Sequence, residues 1–467
     1  MKPSVASTSA TISYAARMNY RSFLLPLLLL ILLPLLSCAG GTTPGTTSNP
    51  TAESANAGNF STTVFLGDSL TAGYQSGSLL DIAEIHGWAP LVAAQAKFPI
   101  VQALIAYPGA PNTLLLKSPG PPPVTVTAPG LTTGRDNFAT QVTDLAVPGA
   151  LLNDIENTVP AIIPTTPQEI ITQLVLGFPG LGFGQDWSQA TFAVHANPTT
   201  IFLWAGNNDA LVADLTGTPA SMTSTADFTT QYTALIQLLT TKTNAHLVIG
   251  NIPDVTLVPY LTPAALVLAE YAAATGYPVA TLSALFGISP GDFVTPEGLT
   301  EISAILAGTQ TTPLSDPGVL TAAEAVTVRA QVAAFNQVIA AQATAANATL
   351  VDINALFTQV ATNGLSISGY TGTSAFLGGF FSLDGIHPTN TGYAVVANKF
   401  IDTMNASFKT TISDVALEPV AAADPLWPPN IVPNAAPGVR RAAIIGLPAD
   451  AARNLNHILL PPRLRQP

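Results

Sequence analysis

Short apolar runs that stop at glycine, proline or asparagine, with helical stretches between them, constrain this chain most. Thr62–Leu66 runs into Gly67, Val142–Val147 stops at Pro148-Gly149, and Thr199–Trp204 ends near Gly206. Ala245–Gly250 ends at Asn251-Ile252-Pro253, and Thr349–Ile353 follows a long Ala-rich stretch. Each run has the length of a strand. Pro90–Lys97, Ala226–Thr243, Thr321–Ala346 and Thr391–Phe408 read as helices between or after them. Apolar strands joined through helices predict a parallel sheet covered on both faces. The expected fold class is therefore α/β: a three-layer α/β/α sandwich on a central parallel sheet, with loop insertions at 107–134 and 257–318. In such sheets functional groups gather at the C-terminal ends of the strands, which sets a test for any candidate site.

Composition narrows the partners. Of 467 residues only 9 % are charged, with 27 acids against 15 bases and a formal charge of −12. Phosphate binding relies on Lys and Arg, so a nucleic-acid partner is excluded. The single cysteine rules out disulfides within the chain and a multi-cysteine zinc site.

The N-terminus places the protein. Lys2, Arg17 and Arg21 precede an apolar run from Phe23 to Leu36, short for a membrane span and right for the core of a signal peptide. The run closes on Leu35-Leu36-Ser37-Cys38-Ala39-Gly40, which resembles a bacterial lipobox. Residues 1–37 are read as a signal peptide, with Cys38 as the lipidated first residue of an exported, envelope-bound protein. A lipid there tethers a protein to a membrane without spanning it. Residues 38–61 form a flexible tether and 62–417 the folded domain. The Pro/Ala-rich stretch 418–467 is expected to be a partly disordered extension rather than a packed element.

Four segments carry chemistry. Gly67-Asp68-Ser69-Leu70-Thr71-Ala72-Gly73-Tyr74 places Ser69 on a tight strand-to-helix turn, the position of an exposed nucleophile or of a helix cap. Asp384-Gly385-Ile386-His387 spaces a carboxylate and an imidazole so that one turn presents both, an arrangement suited to a general base and its orienting group. Gly206-Asn207-Asn208-Asp209 ends a strand, where the Asn208 amide can donate to a developing oxyanion. Gly149 ends another strand, and its backbone N–H can approach a substrate oxygen with no Cβ in the way. Gly109 is its rival. Each segment taken alone also fits an ordinary turn or cap.

Together they resemble the SGNH hydrolase superfamily, also called the GDSL esterase/lipase family, whose four blocks carry Ser, Gly, Asn and His in that order. Here the order is Ser69, Gly149, Asn208, His387, and the resemblance covers about Thr62 to Ser407. It implies a flavodoxin-like sandwich and a serine hydrolase of carboxylic esters. In that scheme Ser69, His387 and Asp384 form the triad, and Ser69 N–H, Gly149 N–H and Asn208 form the oxyanion hole. The scheme uses no metal and no cofactor. The expected substrate is a small-molecule or lipid ester. Two alternatives stay open: an acetyl esterase acting on polysaccharide, and a non-catalytic envelope lipoprotein on a hydrolase scaffold. Leu261–Leu268 reads as a packed helix, or else as an acyl-binding wall or a lid.

Overall fold

The computed structural model describes residues 58–120, 123–178, 187–431 and 446–464. Residues 1–37, read as a signal peptide, and Cys38 lie outside the described residues.

Four parallel strands form the central sheet in the order β1 (Thr63–Gly67), β2 (Thr200–Trp204), β3 (His246–Gly250) and β4 (Thr349–Val351). Phe65 lies beside Phe202, Ile201 beside Leu247 and Ile249 beside Leu350. The expected strand at Val142–Val147 is present only as an irregular edge. Asp144 makes a single bridge to Phe65, although Leu145 and Val147 donate to the Phe65 and Gly67 carbonyls at 2.9 and 3.2 Å. The Asp144 carboxylate accepts from the Ala146 N–H at 3.3 Å, a local bond that competes with a regular ladder, and Pro148-Gly149 then turns the chain away.

Among the helices are, in chain order, α1 (Ser69–Ala72), α2 (Trp88–Ala96), α3 (Pro167–Leu176), α4 (Gln189–Ala196) and α5 (Asn207–Thr216). They continue with α6 (Thr225–Lys242), α7 (Ala322–Ala345), α8 (Asn390–Phe408) and α9 (Ala449–Leu459). Strand side chains alternate between two faces. Val64, Leu66, Ile201, Leu203, Leu247 and Ile249 point to the layer built by α3 to α7. Phe65, Phe202, Trp204 and Val248 point the other way, onto Trp88 of α2 and Tyr393 and Phe400 of α8. Trp88 and Phe400 stack with ring centroids 3.9 Å apart. The three layers match the reading of the sequence.

Both insertions are folded. The first carries an antiparallel hairpin, Leu114–Ser118 with Val124–Thr127. The second builds helices Ala264–Thr275, Val279–Phe286 and Pro296–Leu306 around a cluster of their own. Within it Val267 and Leu268 pack with Leu282, Phe286 and Ile302, so this stretch is a packed helix and not an acyl wall.

The C-terminal stretch corrects an expectation. Its described parts pack on the domain: Trp427 is buried against Phe380 and Tyr370, and α9 buries Leu455, Ile458 and Leu459 in the main core. The apolar spacing i, i+3, i+4 in α9 gives one helix face to bury. Pro448 and Pro461 on either side gave that segment the look of an extension. Among the described residues no helix is long and apolar enough to cross a membrane.

Candidate active site

The end of β1 sets the first group. Gly67 has no room for a side chain: a Cβ there would lie 2.5 Å from the Trp204 carbonyl. Asp68 caps α1 by accepting from the Leu70 N–H at 3.0 Å, and Gly73 ends that single turn in the left-handed region, at φ +77°. Ser69 therefore sits at the first position of a rigid turn just past the strand.

The loop before α8 brings the partners. His387 Nε2 lies 2.8 Å from Ser69 Oγ, and His387 Nδ1 lies 2.9 Å from Asp384 Oδ2. The carboxylate on Nδ1 requires a proton there, which leaves Nε2 to accept from the serine hydroxyl. Ser69 is 2 % exposed, and Asp384 and His387 are 0 % exposed.

Asp384 is well supplied with donors. The Ile386 and His387 N–H groups donate to Oδ1, each at 2.9 Å, and the Gly77 N–H donates to Oδ2 at 2.7 Å. Burial alone would raise its pKa. The charge of His387 and these hydrogen bonds outweigh that and hold Asp384 below its ordinary value. The Tyr74 ring packs against His387 with centroids 4.7 Å apart, and its hydroxyl donates to the Gly77 carbonyl at 2.6 Å.

The third and fourth predicted residues meet across the next strand ends. Asn208 Nδ2 donates to the Ala150 carbonyl at 2.9 Å, tying the start of α5 to the loop that carries Gly149. Gly149 has φ +81°, a conformation that suits glycine. Among the described residues neither the Ser69 nor the Gly149 N–H has a protein acceptor. The rival Gly109 donates its N–H to Ala106 O at 2.9 Å and so is already satisfied. The geometry brings Ser69, Asp384 and His387 into one hydrogen-bonded chain and sets Asn208 and Gly149 side by side.

Three groups, two of them buried, escaped the reading of the sequence. Asp68 accepts from Asn207 Nδ2 at 2.8 Å, linking the first and third blocks, and burial raises it to about 6. Asp209 takes the Leu152 N–H at 2.8 Å and the Thr223 hydroxyl at 2.6 Å, and burial raises it to about 6 as well. Gly77 acts through its backbone. Asp68 and Asp209 were visible as neighbours of Ser69 and Asn208. No side-chain pattern marks a backbone donor.

Three other histidines have partners of their own elsewhere. His195 stacks on Trp187, His246 bonds Thr349 Oγ1 and His86 bonds the Ile82 carbonyl. Among the described residues no three His, Cys, Asp or Glu side chains gather as a metal set.

Known proteins agree with this picture at the level of family. No curated protein sequence matches the chain significantly. Distantly similar solved structures include the following two. LAE5, an α/β hydrolase enzyme from the metagenome of Lake Arreo, Spain, has 14 % identity and a TM-score of 0.32, covering 74 % of this chain and 95 % of that one. A mutant of Axe2, an acetyl-xylooligosaccharide esterase from Geobacillus stearmophilus, has 13 % identity and a TM-score of 0.34, covering 76 % of this chain and 99 % of that one. The family model of GDSL-like lipases and acylhydrolases matches residues 63–400, from the first strand into the last helix of the sandwich. Over that span the chain belongs to the GDSL-like lipase/acylhydrolase family, and it is a hydrolase of ester bonds.

Proposed function

We propose that Ser69 is the nucleophile of a carboxylic-ester hydrolase, with His387 as general base and Asp384 as its orienting carboxylate. The hydrogen-bonded chain Ser69–His387–Asp384, at 2.8 and 2.9 Å, carries this reading. His387 Nε2 takes the hydroxyl proton as Ser69 Oγ attacks the ester carbonyl carbon. The ionised Asp384 stabilises the imidazolium that forms. The Ser69 and Gly149 N–H groups, free of acceptors among the described residues, and the second Asn208 amide hydrogen are the donors for the oxyanion. His387 returns the proton to the leaving alkoxide, the acyl-enzyme remains, and water activated by His387 releases the acid.

A cavity of about 290 Å³ adjoins Gly149, its walls carrying Val147, Ala150, Leu176 and Leu460 together with Asp154, Gln168 and Glu169. That is about twice the volume that accepts a benzene ring in an engineered core, and it suits a short acyl chain. The test is hydrolysis of p-nitrophenyl esters from acetate to palmitate. Rates are expected to peak near butyrate or hexanoate. Asn208→Ala should lower kcat by about 10²- to 10³-fold at its optimum ester, the usual cost of losing one oxyanion donor. A kcat unchanged in Asn208→Ala removes that residue from the oxyanion hole. A peak at palmitate removes the cavity from acyl binding.

The Leu35–Gly40 stretch supports an envelope location with Cys38 lipidated. Cells expressing the chain should incorporate labelled palmitate into it, and Cys38→Ser should abolish the label. Label retained in Cys38→Ser rules this anchor out.

A further inference from the structure

We propose that the N-terminal edge of the central sheet carries a second binding site, for a neutral oligosaccharide, apart from the ester site and independent of it. A depression of about 700 Å³ opens there, where four loops bring Asn59, Asn197, Asn244 and Asn347 together. These residues come just before β1, β2, β3 and β4. The strands are parallel, so the four loops share one edge of the sheet, while Ser69 and Asn208 follow the opposite ends. The five residues of β2 put about 16 Å between the two edges. The volume falls in the usual range of a small-molecule site, about 300–1,000 Å³.

The lining selects the ligand. Its floor carries a hydrogen-bonded chain: His246 Nε2 lies 3.0 Å from Thr349 Oγ1, which lies 2.7 Å from Ser407 Oγ. No Asp, Glu, Lys or Arg lines it. Burial holds the His246 pKa below its ordinary value, so that ring stays neutral at neutral pH. An anion would call for Arg or Lys, and a hard cation for carboxylates. Amides and hydroxyls both donate and accept, as sugar hydroxyls do. Turn geometry accounts for only two of the asparagines. Asn197 and Asn347 have φ +45° and +51°, which asparagine tolerates, whereas Asn59 and Asn244 lie outside the left-handed region. The side chains of Asn197, Asn244 and Asn347 are exposed, and among the described residues their amides bond no protein group. The loops that present them are tied down. The Thr200 hydroxyl donates to the Asn59 carbonyl at 2.7 Å, and the Thr199 hydroxyl donates to the Thr62 carbonyl at 3.0 Å. Donors and acceptors held in place before binding lose less freedom on binding.

The test uses the full chain carrying Ser69→Ala, so that no ester chemistry intervenes. The probes are xylohexaose, cellohexaose and chitohexaose, none of which carries an ester. Calorimetric titration with at least one of them is expected to give a dissociation constant on the order of 1 mM, since hydrogen bonds exchanged with water gain little each. Asn197→Gly with Asn244→Ala and Asn347→Gly removes the three unbonded amides, and glycine keeps the positive φ. That variant is expected to bind at least about tenfold more weakly. With Ser69 restored, the same three changes should leave hydrolysis of p-nitrophenyl butyrate within about twofold of the parent, because the two sites are a sheet-length apart. Flat titrations with all three sugars up to about 10 mM overturn the site. Equal binding by the parent and the triple variant also overturns it, since the sugar then sits elsewhere. If the triple variant does not fold, Asn244→Trp is used instead, one exposed change that fills the depression, and sugar binding retained in it overturns the site.

Discussion

Ser69→Ala is expected to lower kcat on p-nitrophenyl butyrate by roughly 10⁴- to 10⁶-fold, as loss of a triad serine does elsewhere. The fold should survive, because the change removes one hydroxyl from a turn held by the Asp68 cap and the Gly73 stop. Its hydrogen bond to His387 is the only side-chain bond lost. The double variant Ser69→Ala with His387→Ala should be no slower than the single one. Once the nucleophile is gone the base has nothing to activate, and groups that act as a unit do not add. Residual turnover over the uncatalysed rate should persist through the oxyanion donors. Steady-state kinetics with purified protein decide the matter, and a Ser69→Ala enzyme within tenfold of the parent would remove Ser69 from the chemistry.

The second large effect concerns stability against pH, and its sign follows from buried acids. Glu84 accepts from the Leu104 and Ile105 N–H groups inside the fold, and burial lifts it from 4.5 to about 7. Asp68 and Asp209 rise from 3.8 to about 6, again chiefly through burial. Asp144 and Asp214 go well above their ordinary value for the same reason. A raised acid binds its proton more tightly when folded. Its contribution is complete below the unfolded pKa and is lost as pH rises through the folded one. Asp384 has the opposite sign: its contribution is present above 3.8 and is lost as pH falls below. The melting temperature should therefore peak near pH 4 and fall by several degrees towards pH 7, with Glu84 alone worth on the order of 3 kcal/mol. Thermal melts from pH 3 to 8 check this. A curve that rises from pH 5 to 8 contradicts it.

The sandwich was legible because its strands are apolar on both faces. Phe65, Phe202 and Val248 serve one layer and Leu66, Leu203 and Ile249 the other, so each strand reads as an unbroken apolar run. The candidate site was legible where side chains do the work. Ser69, Asn208, Asp384 and His387 stand where their blocks suggested. What stayed hidden depends on tertiary placement. The Gly77 N–H reaches Asp384 from another loop, with nothing in its side chain to signal it. The edge at 142–147 turns on where one carboxylate finds its amide. The C-terminal stretch was misread because its composition is that of a linker, while three residues, Leu455, Ile458 and Leu459, decide that it packs.

The bond between Ser69 and His387 joins residues 318 positions apart. At a synthesis rate of 5–20 residues per second, roughly 15–65 s separate the appearance of the serine from that of the histidine. Strand β1 waits in turn for β2, whose first residue is paired with Thr63 across more than a hundred positions of chain. Through most of translation the polypeptide thus holds a serine without a base. Ser69 and His387 can meet only once the strand-end loops have come together, so the proposed triad cannot form before nearly the whole domain has been made.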